Sequence, residues 1–427
     1  MTNIVLNIKK RSALQWFGEL YCMILLFLPT EIIQLTSIYT KTTPAGFRYK
    51  YTSFYFSALL IPAILIALLI RKRTKAIRFD LVIIAIVIKD FLYLTFAKDL
   101  QLVEYNFSFN LILIASWSIL TIVFAFCDKN NTESVELFLD NYLLLAILSQ
   151  FLRLALRMST NGRYGAIGLS VGGTGYFDAI FIVYCLYCRD FTNRVKILMF
   201  LAAISLVLSG QRSNLLFLLC FCVPYMVKSL RDRRLSKGES SKNIIIWLFA
   251  GLGIIVILLI TTLNELGFEI KGFEFVTRTI SAFENFVNGN IGNESSVEGR
   301  VLSLQAGFNV LKSNPLGITN NFYDLQYRTL LNSYPTFPHN TLLCCYLLWS
   351  PFVVIFCLIC LFKLLFRAKK FEVGLFWPLL YIVIYNLVTG SVFLDYPYLF
   401  INLFFISLTK CKTDFLIEKG KHENAIK

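Results

Sequence analysis

Charge is what this chain has least of. Only 16% of its 427 residues are charged, where soluble domains carry about a quarter. That shortage excludes both an ordinary soluble domain and a charge-rich disordered chain. Histidine is nearly absent, with His339 and His422 the whole supply. No HExxH run and no His, Cys or carboxylate set at metal-ligand spacing occurs, so neither a metal centre nor a cofactor is expected. A P-loop is excluded as well: the Gly-rich stretch Asn161–Gly175 lacks the GxxxxGK[ST] pattern and its preceding strand. No small-residue cleavage pattern follows Lys9, Lys10 and Arg11, and the apolar run from Ala13 therefore reads as a retained signal anchor. No internal repeat relates the two halves, which counts against inverted-repeat transporters.

Cysteine is not scarce, but its eleven residues fall in apolar spans or at their edges. A disulfide framework is not expected there. The CxxC pairs Cys185/Cys188 and Cys357/Cys360 have no histidine near them in the sequence and read as small packing residues.

Apolar residues are what the chain does have. They make up 57% of it, with a mean hydropathy of +0.65. Runs long enough to cross a bilayer, or nearly so, occur at 13–38, 52–70, 79–97, 108–127, 136–157, 174–188, 195–209, 213–228, 243–263, 340–366, 372–389 and 397–410. The pattern predicts an all-α polytopic membrane protein of about twelve transmembrane helices. With the N-terminus inside, roughly two-thirds of the 41 Lys and Arg fall in cytoplasmic segments, including RKRTKAIR at 71–78 and KSLRDRRLSK at 228–237. The net charge of +15 therefore faces anionic membrane lipid on the cytoplasmic side, and nucleic acid is not needed to explain it.

This topology divides the chain into nine helices over 1–263, a large periplasmic loop over 264–339, three helices over 340–410 and a cytoplasmic tail over 411–427. Both termini are inside. The loop is too long for a mere connection. It has helical periodicity at Phe275, Val276, Ile280, Phe283 and Val287, and again at Val301, Leu304, Phe308 and Leu311. The second stretch opens on a capping-box pattern, Ser295 with Glu298, and stops at Ser313-Asn314-Pro315. Both read as amphipathic helices on the outer membrane surface.

The chemistry-bearing residues cluster on that outer side. His339 closes the loop in Pro338-His339-Asn340, at the membrane interface, where a side chain of pKa about 6.5 suits general-base work. The same histidine could instead be a structural residue at a helix start, with Asn340 as N-cap. Arg212 occupies a tight turn, Leu208-Ser209-Gly210-Gln211-Arg212-Ser213, close to the membrane, and charge at that depth usually has a partner or a substrate. Arg300 follows Glu298-Gly299 in the capped loop helix. Arg153, Arg157 and Arg163 gather at the outer end of the fifth span, the first two spaced to share a helix face. For Arg153 and Arg157, snorkelling to the headgroups is an equal alternative. Several guanidinium groups on one face fit an anionic ligand, with phosphate the best geometric match. Glu294 and Glu298 read as helix-start residues, and His422 lies in a polar tail.

Four of these features resemble the O-antigen polymerase and O-antigen ligase superfamily of bacterial inner-membrane glycosyltransferases. They are Arg163-Tyr164-Gly165 with its glycines, the Ser209-Gly210-Gln211-Arg212 turn, Gly299-Arg300 before an amphipathic helix ending Asn314-Pro315-Leu316-Gly317, and Pro338-His339-Asn340. The resemblance covers roughly residues 160–360, in order and sidedness. It departs from the family pattern after the His-Asn pair, where Thr341-Leu342-Leu343 replace the usual acidic or glycine residues.

The resemblance implies a GT-C-like fold and a metal-independent, inverting transfer from an undecaprenyl-pyrophosphate-linked oligosaccharide at the periplasmic face. His339 would be the base and Arg212 and Arg300 the clamp on the leaving pyrophosphate. Arg163, Arg157, Arg153 and Asn340 would contact substrate, and a chain-length regulator is a candidate partner. A polymerase is the favoured member, with a ligase and, from another class, a polysaccharide flippase as alternatives.

Overall fold

The computed structural model of this chain describes residues 13–35, 40–42, 48–50, 54–96 without 73 and 75, 108–125, 132–158, 163–233, 295–334 without 321, 337–388 without 372, and 396–426. Fourteen helices and one short strand pair account for most of these. In chain order they are α1 (Ala13–Leu35), β1 (Thr40–Thr42), β2 (Arg48–Lys50), α2 (Phe54–Ile70), α3 (Asp80–Phe96), α4 (Ser108–Ala125), α5 (Glu133–Ala155), α6 (Val171–Cys188), α7 (Asn193–Ser209) and α8 (Arg212–Arg233). After the break come α9 (Ser295–Ser313), α10 (Phe322–Leu331), α11 (Thr341–Trp349), α12 (Pro351–Lys370), α13 (Phe376–Val388) and α14 (Tyr396–Ile426).

Helices α1 to α8 coincide with the first eight apolar runs. The ninth run, 243–263, and the loop helix expected around Phe275–Val287 lie outside the described residues. Among the described residues three helices, α5, α6 and α12, are long and apolar enough to cross a membrane. Large apolar side chains also point outward from several helices: Leu69 is 84% exposed, Phe352 73% and Phe91 68%. Outward faces this apolar belong against lipid rather than water.

The sequence reading needs four corrections. The connection after α1 is not loop alone, because β1 and β2 pair antiparallel with Thr40 opposite Lys50. The tenth run is not one helix. It breaks at Ser350, whose φ of 87° ends α11 and whose hydroxyl accepts the Val353 N–H to start α12, with Pro351 in the first turn. The loop holds a helix the periodicity did not reveal, α10. Arg153 and Arg157 do not share a helix face, because α5 ends at Ala155 and Arg157 takes a left-handed φ of 54°.

Packing sorts the charged residues by end. At one end Arg71 and Arg78 pair with Asp80, Arg189 and Arg194 with Asp140, and Lys412 with Glu136 at 2.9 Å. These are the segments read as cytoplasmic. Between the ends runs an aromatic core in which Tyr176 stacks on Tyr398 (4.3 Å between ring centres) and meets Tyr385 at 4.7 Å and Tyr381 at 5.8 Å. Rings packed this way stabilise by roughly 1 kcal/mol per pair beyond their burial.

Lys89 and Asp90, adjacent and deep in α3, are held by the rest of the fold. Lys89 Nζ lies 2.7 Å from Asp90 and donates to the backbone carbonyls of Ile318 and Leu348. Asp90 accepts from the Asn320 N–H at 2.9 Å and from Asn110 at 3.2 Å. The pair thus ties the segment after α9, and the end of α11, to α3. Each buried charge meets hydrogen-bond partners, as burial in an apolar bundle requires.

Candidate functional site

The site grows from α9. Its Ser303 hydroxyl donates back to the Arg300 carbonyl at 2.8 Å and accepts the His339 backbone N–H at 3.2 Å. One turn on, Gly307 presses against the segment that carries the histidine: a Cβ there would lie 2.6 Å from Pro338 Cγ and 2.8 Å from Leu343 Cδ2. Only glycine lets α9 approach so closely. The histidine-bearing strand of chain is therefore clamped along α9 by a hydrogen bond and by steric fit.

Asn340 fixes the other side of His339. Its side-chain carbonyl accepts the Leu343 N–H at 2.9 Å, making it the N-cap of α11. Its amide nitrogen donates to the Leu387 carbonyl at 2.7 Å, tethering the start of α11 to the end of α13. In the structure the Asn340 amide thus works as cap and tether.

His339 is half-buried, and the Phe337 ring meets its imidazole edge-on with centres 5.4 Å apart. Burial lowers its pKa below the ordinary histidine value, and the nearby Arg300 charge lowers it further. Both causes favour the neutral imidazole, the form that can accept a proton. Arg300 is exposed, and among the described residues it has no ion-pair partner. A neutral base beside an open guanidinium can take a proton from a hydroxyl while an anion rests on the cation.

A second cluster forms at the same end of the bundle. The α7–α8 turn consists of Gly210, with φ of 61°, and Gln211, and Arg212 is the first residue of α8. The structure describes the Arg212 backbone but not its side chain. The Gly-rich segment wraps this turn. The Tyr164 N–H donates to the Leu208 carbonyl at 3.1 Å, and Gln150 donates to the carbonyls of Tyr164 and Ser205 at 2.7 and 3.0 Å. A Cβ on Gly175 would lie 2.6 Å from Ser209 Oγ and 2.9 Å from Gln211 Cβ, so this glycine serves close packing of α6 against the turn. Arg163 is half-buried beside Tyr164, Arg153 half-buried on α5 and Arg157 exposed beyond it.

Helix α13 joins the two clusters. Leu387, near its end, holds Asn340, while its Tyr381 donates to Asn214 of α8 at 3.1 Å and packs on Tyr176 of α6. The structure therefore brings His339 and Arg300 together, and puts the heads of α8 and α11 at one end of the bundle. Among the described residues no group of three His, Cys, Asp or Glu could hold a metal.

Sequence reasoning missed Ser303, Gly307 and Leu387. Ser303 and Gly307 lie three and seven residues after Arg300, the spacing of one helix face, and that was the available signal.

The fold and site together define a helical membrane protein with a histidine and an arginine held at one end of the bundle. A family model described as O-antigen ligase matches residues 197–347, which covers Arg212, Arg300 and His339. The match spans about a third of the chain, and over that stretch the chain is similar to the O-antigen ligase family. No curated protein matches the chain.

Proposed function

We propose that the chain is a surface-polysaccharide polymerase of the bacterial inner membrane, with about twelve spans, both termini cytoplasmic and its site facing the periplasm. It moves a glycan from undecaprenyl pyrophosphate to a sugar hydroxyl on another lipid-linked repeat unit. The observation that carries this reading is the half-buried His339 clamped along α9 beside Arg300.

In this mechanism neutral His339 takes the proton from the acceptor hydroxyl as its oxygen attacks the anomeric carbon. The bond from that carbon to the pyrophosphate oxygen breaks from the opposite side, which inverts the centre. The departing pyrophosphate gathers negative charge, and Arg300 and Arg212 neutralise it without requiring a metal. Fixed cations aimed at a leaving group typically contribute about 3–4 kcal/mol each. Arg163, Arg157 and Arg153 hold the lipid-linked substrate at the same face, and Asn340 orients the base. A chain-length regulator would act beside it.

The ligase reading is the second one, favoured by the match to the O-antigen ligase family over residues 197–347. A gene deletion complemented with wild type or His339→Ala, at matched membrane levels, separates them on a polysaccharide gel. A polymerase deletion leaves core bearing one repeat unit. A ligase deletion leaves bare core while lipid-linked polymer accumulates. A full ladder from His339→Ala would contradict the assigned base. A flippase has less support, since the Lys89–Asp90 pair that could have served transport is engaged in holding the fold.

A further inference from the structure

Helices α3, α11, α12, α13 and α14 line an open-sided cavity of about 610 Å³ that runs from Thr341, Leu342 and Leu387, beside the His339 segment, toward the basic end of the bundle, within the range of small-molecule sites. Its walls are apolar, with Val82, Leu361, Val383 and Leu403 among them. It extends along α14 from Leu399 to Asp414, which at 1.5 Å per residue is roughly 22 Å. A slot this apolar and elongated suits hydrocarbon chains. One end differs from the rest. Arg78, Lys363, Arg367 and Lys410 line it, against the single carboxylate of Asp414.

These four cations are not equally engaged. Arg78 pairs with Asp80, and Lys410 donates to the Ala76 carbonyl at 3.4 Å. Lys363 and Arg367, one turn apart on α12, are exposed and have no side-chain partner among the described residues. An excess of positive charge at the mouth of an apolar slot between membrane helices is the arrangement that receives an acidic lipid headgroup.

We propose that this cavity binds an anionic glycerophospholipid, its acyl chains in the slot and its phosphate diester on Lys363 and Arg367. Its headgroup end, at Lys363 and Arg367, lies at the other end of the slot from Thr341 and Leu387 and takes no part in the transfer chemistry. The two non-bridging oxygens of the diester, which share one negative charge, match a guanidinium fork, and the neighbouring ammonium adds a second contact.

The test is native mass spectrometry of the full-length protein from nanodiscs containing equal phosphatidylglycerol and phosphatidylcholine. Wild type should retain phosphatidylglycerol at least fivefold over phosphatidylcholine, and the double variant Lys363→Gln/Arg367→Gln should lose that preference. Val383→Trp, which fills the slot, should reduce retention of both lipids, with size-exclusion profiles confirming that each variant is folded. Equal retention of the two lipids by wild type would overturn the proposal, as would an undiminished preference in the double variant. Polyprenyl phosphate displacing phosphatidylglycerol equally well from wild type and double variant would overturn it too, by making the slot a site for the donor's tail. Glycan transfer is not read in any arm, so the result stands apart from the proposed reaction.

Discussion

The ion pairs that join helices at the basic end of the bundle contrast with the setting of Arg300 beside His339. At the basic end, carboxylates answer many of the cations: Asp80 answers Arg71 and Arg78, Asp140 answers Arg189 and Arg194, and Glu136 answers Lys412. At the end carrying α9 and the head of α11, Arg300 is exposed without an ion-pair partner among the described residues, and its charge bears on a half-buried histidine. Paired charges hold helices together. An unpaired cation next to a neutral base is arranged for something that arrives from outside. Mutations at the two ends should therefore separate stability from chemistry.

The largest effect should come from the base. His339→Ala should lower the transfer rate by roughly 10²–10⁴-fold, the usual contribution of general-base catalysis, measured as product formed per folded molecule from a lipid-linked donor. Next, Arg300→Gln should lower the rate by about a hundredfold while thermal stability in detergent changes by no more than about 0.5 kcal/mol, as for other exposed substitutions. A stability loss in step with activity would remove the distinction between the ends.

The opposite pattern is expected at the basic end. Asp140→Asn leaves Arg189, only 14% exposed, with Glu136 at 3.8 Å as its remaining carboxylate. Breaking a buried pair typically costs about 3–5 kcal/mol; here about 2–3 is expected, because Arg189 keeps Glu136 and Arg194, the other partner of Asp140, is 41% exposed. Activity per folded molecule should stay near wild type. Gly307→Ala comes next: the added Cβ must displace Pro338 or Leu343, which typically costs about 1–3 kcal/mol, and the shift it imposes on His339 should appear as a fall in kcat.

The smallest effect is on pH dependence. A base of lowered pKa loses function as pH falls through that pKa, so the acid limb of kcat/KM should lie below the ordinary histidine midpoint of about 6.5. Arg300→Gln removes one of the two causes that lower it, and the limb should move upward. The shift should be modest, since burial is the larger cause.

Much of this arrangement was legible in the sequence. The heads and ends of α1 to α8 follow the apolar runs because hydropathy and short basic loops punctuate them sharply. The stop of α9 at Ser313-Asn314-Pro315 and the cap at Asn340 were readable as local chemistry. What escaped was either weakly patterned or tertiary. Ser350-Pro351 interrupts a long apolar stretch, and the surrounding hydropathy concealed a break that the φ of Ser350 makes plain. Helix α10, FYDLQYRTLL, is only ten residues long, and its buried positions mix Leu325 with the polar Asp324 and Thr329, so it offers too few apolar repeats to stand out in the sequence. The spacing of Arg153 and Arg157 was helical, but the helix ended between them. The contacts that place the His339 segment, from Ser303, Gly307 and Leu387, join residues 36, 31 and 47 positions apart in sequence, beyond the reach of any local pattern.

The most direct test is single-turnover transfer by the purified protein in lipid, comparing wild type with His339→Ala while donor binding is measured separately. The account predicts donor affinity within about threefold of wild type and a transfer rate at least a hundredfold lower. Transfer by His339→Ala at the wild-type rate would contradict it.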